Sequence, residues 1–191
     1  MKITAISRLL TVLGLAAFLG ACTHAAPSYT ASVASVEVTS KLDGAIAVGK
    51  FTFAPGGEAQ LNAVGARADT FTSPVNNSYA DYFADAATKE LKAGGKLDPG
   101  SARVLTGVLE KNYLSAAGMA TNQSDLVVRF KLSNGSQPVY EKAVEAKREW
   151  ESSFLGAVAI PRALDNYIAT IQDLMRNLFG DPQFAAATGA K

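Results

Sequence analysis

The chain has 191 residues with 18 basic and 17 acidic side chains, one histidine and one cysteine. Near-neutral charge excludes the basic face that a nucleic-acid partner needs, and no run of Lys or Arg is dense enough to hold anionic lipid headgroups. A single cysteine excludes a disulfide framework and a thiolate metal site. A single histidine, His24, removes Ser-His-Asp and Cys-His chemistry, HExxH zinc sites and most three-ligand zinc sites, so no metal and no cofactor is expected.

Lys2 and Arg8 open the chain with positive charge, and a short apolar core follows from Leu9 to Leu19. The run closes on Leu19-Gly20-Ala21-Cys22, which resembles a bacterial lipobox. A membrane span needs about 20 apolar residues. This run is shorter and has no basic stop-transfer flank, so residues 1–21 read as a cleaved signal peptide. The resemblance implies that signal peptidase II exposes Cys22, which then carries acyl chains such as palmitate. At ~0.8 kcal/mol per buried methylene, several chains make attachment effectively permanent. Thr23, standing where an aspartate would favour the inner membrane, implies an outer-membrane protein facing the periplasm. Acylation also consumes the only thiol, which leaves no cysteine nucleophile.

Residues 22–31, mostly Ala, Ser and Thr with Pro27, have no apolar period and read as a flexible lipidated tether that includes His24. One domain is expected over residues 32–184, followed by a disordered tail over 185–191. Val33 to Leu42 and Ala45 to Phe53 are β-prone runs separated by Asp43-Gly44, a dipeptide that suits a tight turn, so they are predicted to pair as a hairpin. Ala54-Pro55-Gly56-Gly57 breaks the chain. From Glu58 to Pro74 the pattern is mixed: Ala59, Leu61, Val64 and Ala68 suggest a helix, and Thr70, Phe71 and Thr72 an extended segment.

Ser78 to Ala93 is predicted as a helix. Ser78 and Asp81 resemble a capping box, Tyr79, Tyr82, Phe83, Ala86, Ala87 and Leu91 form one stripe, and Gly94-Gly95 supplies the stop. Three strands follow over Arg103 to Leu114, Asp125 to Leu132 and Val139 to Trp150, the last two joined by the turn signal Asn134-Gly135. Leu126, Val128, Phe130 and Leu132 alternate with Val127, Arg129 and Lys131. In the last strand Tyr140, Val144, Ala146 and Trp150 share a face with Lys142 and Arg148, opposite Glu141, Glu145, Lys147 and Glu149. Pro161 to Phe179 is a second predicted helix, with Pro161 in its first turn, Ile171 at the centre of its buried stripe, and Gln172 and Asp173 facing away. The expected architecture is α+β: a mainly antiparallel sheet with two amphipathic helices packed on one face.

A lipobox, a tether, a helix like Tyr79 to Leu91, a strand like Val104 to Leu109 and a hairpin like Leu126 to Val144 occur here in that order. The pattern resembles the auxiliary lipoproteins of ABC-type lipid transport systems in Gram-negative envelopes, together with their uncharacterised relatives. That resemblance implies a non-enzymatic periplasmic accessory or adaptor in envelope lipid transport or maintenance, partnered by transport proteins or lipid. Two other classes stand beside it. A carboxylate-based peptidoglycan-cleaving enzyme would draw its acids from Glu141, Glu145, Glu149 and Glu151, but the first three have the spacing of a solvated strand face. A structural peptidoglycan-contacting lipoprotein has no feature specific to it. Ser152-Ser153 lacks an SxxK lysine, and no phosphate loop or dinucleotide fingerprint occurs.

The connection from Trp150 to Pro161 does not match that family pattern. It carries the only tryptophan together with Phe154, Leu155, Val158 and Ile160. Apolar side chains in a connection either fold back onto the core or meet something else, so these five residues are the candidate partner or lipid contact.

Overall fold

The computed structural model describes residues 23–117 and 121–189. Residues 1–22, with the signal-like segment and Cys22, lie outside the described residues. In chain order the elements are β1 (Thr23–Ala25), α1 (Val33–Thr39), β2 (Ala47–Phe53), α2 (Glu58–Leu61), β3 (Val64–Ala66), β4 (Asp69–Thr72), α3 (Tyr79–Ala93), β5 (Arg103–Ser115), β6 (Thr121–Asn134), β7 (Gln137–Glu151), α4 (Gly156–Phe179) and α5 (Pro182–Gly189).

The main sheet has the order β2-β5-β6-β7, and a small sheet has the order β1-β4-β3. β5, β6 and β7 form an antiparallel meander, whereas β2 joins β5 in parallel. A parallel neighbour requires a crossover, which here contains α2, the β3–β4 hairpin and α3. The fold is therefore α+β as expected, with mixed sheets in which antiparallel ladders dominate the larger one. Alternation decides the packed face: Leu105 and Leu109 of β5, Leu126, Val128, Phe130 and Leu132 of β6, and Tyr140, Val144, Ala146 and Trp150 of β7 are all buried. α3 and α4 cover that face, and Ile171 is fully buried. Gly107 is required by close approach, because a Cβ there would stand 2.6 Å from the Phe51 ring.

The two cations on the packed face of β7 meet acids on the helical layer. Lys142 pairs with Asp181 at 2.8 Å, and Arg148 pairs with Asp173. Asp173 therefore turns toward the sheet edge instead of away from it, and it also binds Arg176 at 2.6 Å. Gln172 points elsewhere, donating to the Thr30 carbonyl at 2.9 Å.

The first predicted strand is a helix. Ser32 caps α1 by accepting from the Ser35 amide at 3.1 Å, and the buried face is made of hydroxyls, Ser35 and Thr39, while Val33 is exposed. The β-propensity of three valines loses to the tertiary contacts of that hydroxyl face. With no hairpin to make, Gly44 instead permits a close approach, since a Cβ there would strike the Thr188 carbonyl of α5.

The mixed segment divides into α2 and the β3–β4 hairpin, so each half of the pattern finds its element. α3 starts and stops as predicted, with Ser78 accepting from the Asp81 amide and Gly95 at φ 68° after the C-cap. Gly135 takes φ 57° in the β6–β7 turn. α4 begins at Gly156, five residues before Pro161, which consequently sits inside the helix and not in its first turn. Pro161 is exposed, so its missing N–H falls on the outer side of the helix.

Both terminal segments differ from expectation. Residues 23–31 are docked and not a free tether: β1 pairs with β4, Ala26 and Tyr29 are buried, and the Tyr82 hydroxyl donates to the Pro27 carbonyl at 2.8 Å. The tail is helical to Gly189, with Phe184, Ala187 and Thr188 buried. Phe184 packs edge-on against Tyr140 at 5.1 Å, and Asp181 caps α5 through the Gln183 amide at 2.8 Å. Burial alone would raise the Asp181 pKa, but hydrogen bonds from Lys142, the Gln183 amide and Tyr140 outweigh it and hold the carboxyl below its ordinary range. Among the described residues, folded structure therefore reaches Thr23 at one end and Gly189 at the other, beyond the expected 32–184.

Candidate functional site

The β5–β6–β7 meander has two ends, or poles. One carries the Asn134-Gly135 turn, and the other carries the connection from β7 into α4. At this second pole the five nominated residues separate. Trp150 points inward at 8% exposure and Ile160 packs against the core, whereas Phe154, Leu155 and Val158 are 84%, 63% and 49% exposed. Leu155 caps α4 and Val158 follows three residues later, which places them on one side of the first turn. Ala157, Pro161 and Arg162 are exposed beside them.

The β3–β4 turn reaches the same place. Arg67, at φ 62° in that turn, donates a side-chain hydrogen bond to the Ser153 carbonyl, immediately before Phe154. β1 runs parallel to β4 with Thr23 opposite Thr70, so the described chain starts at the turn end of the hairpin. His24 stacks on Phe71 at 5.7 Å with Nε2 3.9 Å from Asp69, and so belongs to the small sheet. The residue that follows Cys22 therefore emerges beside the exposed apolar connection. Sequence spacing could not reveal this, because it depends on a three-residue parallel pairing.

A buried polar cluster fixes the segment that leads away from that point. Glu90 of α3 is fully buried, accepts from the Tyr29 hydroxyl, and accepts from Ser35 Oγ at 2.6 Å. Burial first, and the Glu90 carboxylate second, push the Tyr29 phenol well above its usual range, so it stays protonated as a donor. Burial does the same to Tyr79, Tyr82 and Tyr167. Tyr167 donates to Asn112 Oδ1 at 2.6 Å, and Asn112 in turn donates to the Leu61 carbonyl at 2.8 Å. Glu90 reads in sequence as an ordinary surface acid of an amphipathic helix; only its place between Phe83, Ala86, Ala87 and Leu91 hints at burial.

A second surface lies at the other edge of the main sheet. Among the described residues β2 has β5 on one side and no strand on the other, and a groove of about 560 Å³ opens beside it. Lys50, Phe53, Pro55, Glu58, Ser78 and Asp81 are among its lining residues. Lys50 is exposed on the edge strand, a common guard against strand addition. The sequence signals this groove only through the break at Ala54-Pro55-Gly56-Gly57.

The four candidate acids, Glu141, Glu145, Glu149 and Glu151, are all exposed on the outer face of β7, where Glu149 pairs with Lys147 at 2.7 Å. Among the described residues there is no group of three or more His, Cys, Asp or Glu able to hold a metal ion, and no helix long and apolar enough to cross a membrane.

No family model matches the sequence, and no curated protein matches it significantly. Solved structures do resemble it. A protein from Xanthomonas campestris described by the family model DUF330 superposes with a TM-score of 0.57 at 15% identity, over 86% of this chain and 96% of that one. The shared property is the fold. A candidate lipoprotein from Caulobacter crescentus aligns over 82% of this chain and 97% of its own, at 12% identity and a TM-score of 0.45.

Proposed function

We propose that this chain is an outer-membrane lipoprotein, held by acylated Cys22 and facing the periplasm, that serves as a non-enzymatic accessory or adaptor in envelope lipid transport or maintenance. The observation that carries the reading is Leu19-Gly20-Ala21-Cys22 leading without a spacer into β1, the first strand of the folded domain. An anchor attached there holds the domain against its membrane. The fold shared with the Xanthomonas protein is compatible with this reading, and so is the order of helix, strand and hairpin that resembles transport auxiliary lipoproteins. In this reading the groove beside β2 receives a segment of a transport partner, seated against Phe53 and Pro55 rather than added as a strand, since exposed Lys50 guards that edge.

The test has two parts. Membranes from cells making the wild type or Cys22→Ala are separated on a density gradient; processed wild type is expected in the outer-membrane fraction, with Cys22→Ala left as unprocessed precursor. A photo-crosslinker at exposed Thr52 of β2 is expected to capture an envelope transport component. Capture of murein alone, or cleavage of murein by the purified protein, would replace the adaptor reading with one of the peptidoglycan classes.

A further inference from the structure

Resting on the reading of Cys22 as the acylated residue, we propose that Phe154, Leu155 and Val158 form a second membrane contact, inserted into the phospholipid surface that holds the acyl chains. The protein then stands on its N-terminal pole with a fixed orientation. Three observations meet here. Thr23 is paired in β1, so Cys22 lies one residue, about 3.8 Å between Cα atoms, from a folded strand. The pairing of Thr23 with Thr70 puts that exit at the turn of the β3–β4 hairpin, and Arg67 of the same turn binds the carbonyl of Ser153. Directly after Ser153 come the most exposed large apolar side chains among the described residues of this pole.

The occupant follows from chain length. Acyl chains on Cys22 enter the hydrocarbon region, and one residue of reach leaves the surface around Thr23 at the headgroups. Apolar side chains at that level meet lipid before they can meet a protein. An amphipathic first turn sinks about 5–10 Å, into the headgroup and acyl boundary. The local chemistry suits that depth: from Ser152 to Leu164 there is no acidic residue, and exposed Arg162 lies four residues after Val158, placed to reach phosphate while its stem stays in the apolar layer. Trp150 and Ile160 take no part in the contact, since both are packed against the core.

Full-length acylated protein is reconstituted into vesicles of phosphatidylethanolamine with a minority of phosphatidylglycerol. An environment-sensitive fluorophore is placed on Phe154→Cys, or on Ser136→Cys at the opposite pole. The thioether at Cys22 leaves only the introduced thiol to label, and both sites are exposed, so neither substitution removes core packing. The expected result is blue-shifted emission and quenching by lipid-borne quenchers at position 154, with neither at 136. A third sample, labelled at Ala157→Cys and carrying Phe154→Ser, Leu155→Ser and Val158→Ser, should still float with the vesicles but lose the quenching. Floating protein whose label at 154 reports water would overturn the second contact and leave the anchor reading standing. Shielding at 154 that appears only on addition of an envelope protein would overturn it in favour of a protein interface. Protein whose mass lacks acyl groups, and which does not float, would bring down both readings.

Discussion

The two poles of the β5–β6–β7 meander are built from the same strands and end in opposite ways. At the hairpin pole, Asn134-Gly135 closes β6 onto β7, and α5 packs nearby with Phe184 against Tyr140 and Thr188 against Gly44. At the other pole the β7–α4 connection carries Phe154, Leu155 and Val158 outward, and Thr23, the residue after Cys22, enters β1 there. Two polar clamps hold the terminal segments: Asp181, held by Tyr140 and Lys142, for the C-terminal helix, and Glu90, in the last turn of α3 and held by Tyr29 and Ser35, for the N-terminal segment. The clamps hold the described N- and C-terminal segments in place, and among the described residues Phe154, Leu155 and Val158 leave the second pole with large apolar side chains uncovered. Stability therefore accounts for the hairpin pole completely and for the other pole only up to Trp150.

Ile171, buried in the helical layer between the poles, sets the scale. Ile171→Ala is expected to cost ~2–5 kcal/mol and Ile171→Asp, an unpaired buried charge, more, so that thermal melts of the latter show little folded protein. Trp150→Ala is expected to cost ~3–5 kcal/mol by the same measurement, since the indole belongs to the core despite its place beside the exposed connection. Glu90→Gln weakens two hydrogen bonds to a charged acceptor and is expected to cost ~1–3 kcal/mol. It should also undock the N-terminal clamp alone, seen as faster amide exchange over residues 23–31 with exchange in α5 unchanged.

The C-terminal clamp responds to acid. The Asp181 pKa is lower folded than unfolded, so its contribution is complete above the unfolded value of about 3.9 and disappears as pH falls through the folded one. Asp181→Asn should therefore be less stable than wild type near neutrality and approach it below about pH 4. The smallest effect belongs to Phe154→Ser with Leu155→Ser, expected to lie within about ±0.5 kcal/mol of wild type. A large loss of melting temperature in that pair would mean that the two poles do not differ as described.

Where packing follows local pattern, the sequence was sufficient. The stripe of α3, its Ser78 cap, the alternation of β6 and the Asn134-Gly135 turn all have local causes, and each element forms where its pattern lies. Val33 to Leu42 misled because β-branched residues favour strands in isolation, whereas Ser32 caps the helix locally and its hydroxyl face is buried only when Ser35 meets Glu90 and Thr39 meets Gly94. Residues 23–31 and 182–189 have weak periods, since their order comes from Tyr29 on Glu90 and Phe184 on Tyr140, contacts between residues far apart in the chain. The same holds for the candidate site. Its apolar residues could be named from the sequence, but their division into packed and exposed, and their nearness to Thr23, depend on the parallel pairing of β1 with β4 and the reach of Arg67 to Ser153.

Everything proposed about the N-terminal pole depends on what is attached to the residue before Thr23. The direct measurement is the intact mass and N-terminal peptide of the mature protein extracted from its own membranes. The expected result is a chain that begins at Cys22 and carries diacylglyceryl and N-acyl groups. A mature terminus at any other residue, or an unmodified Cys22, would contradict it.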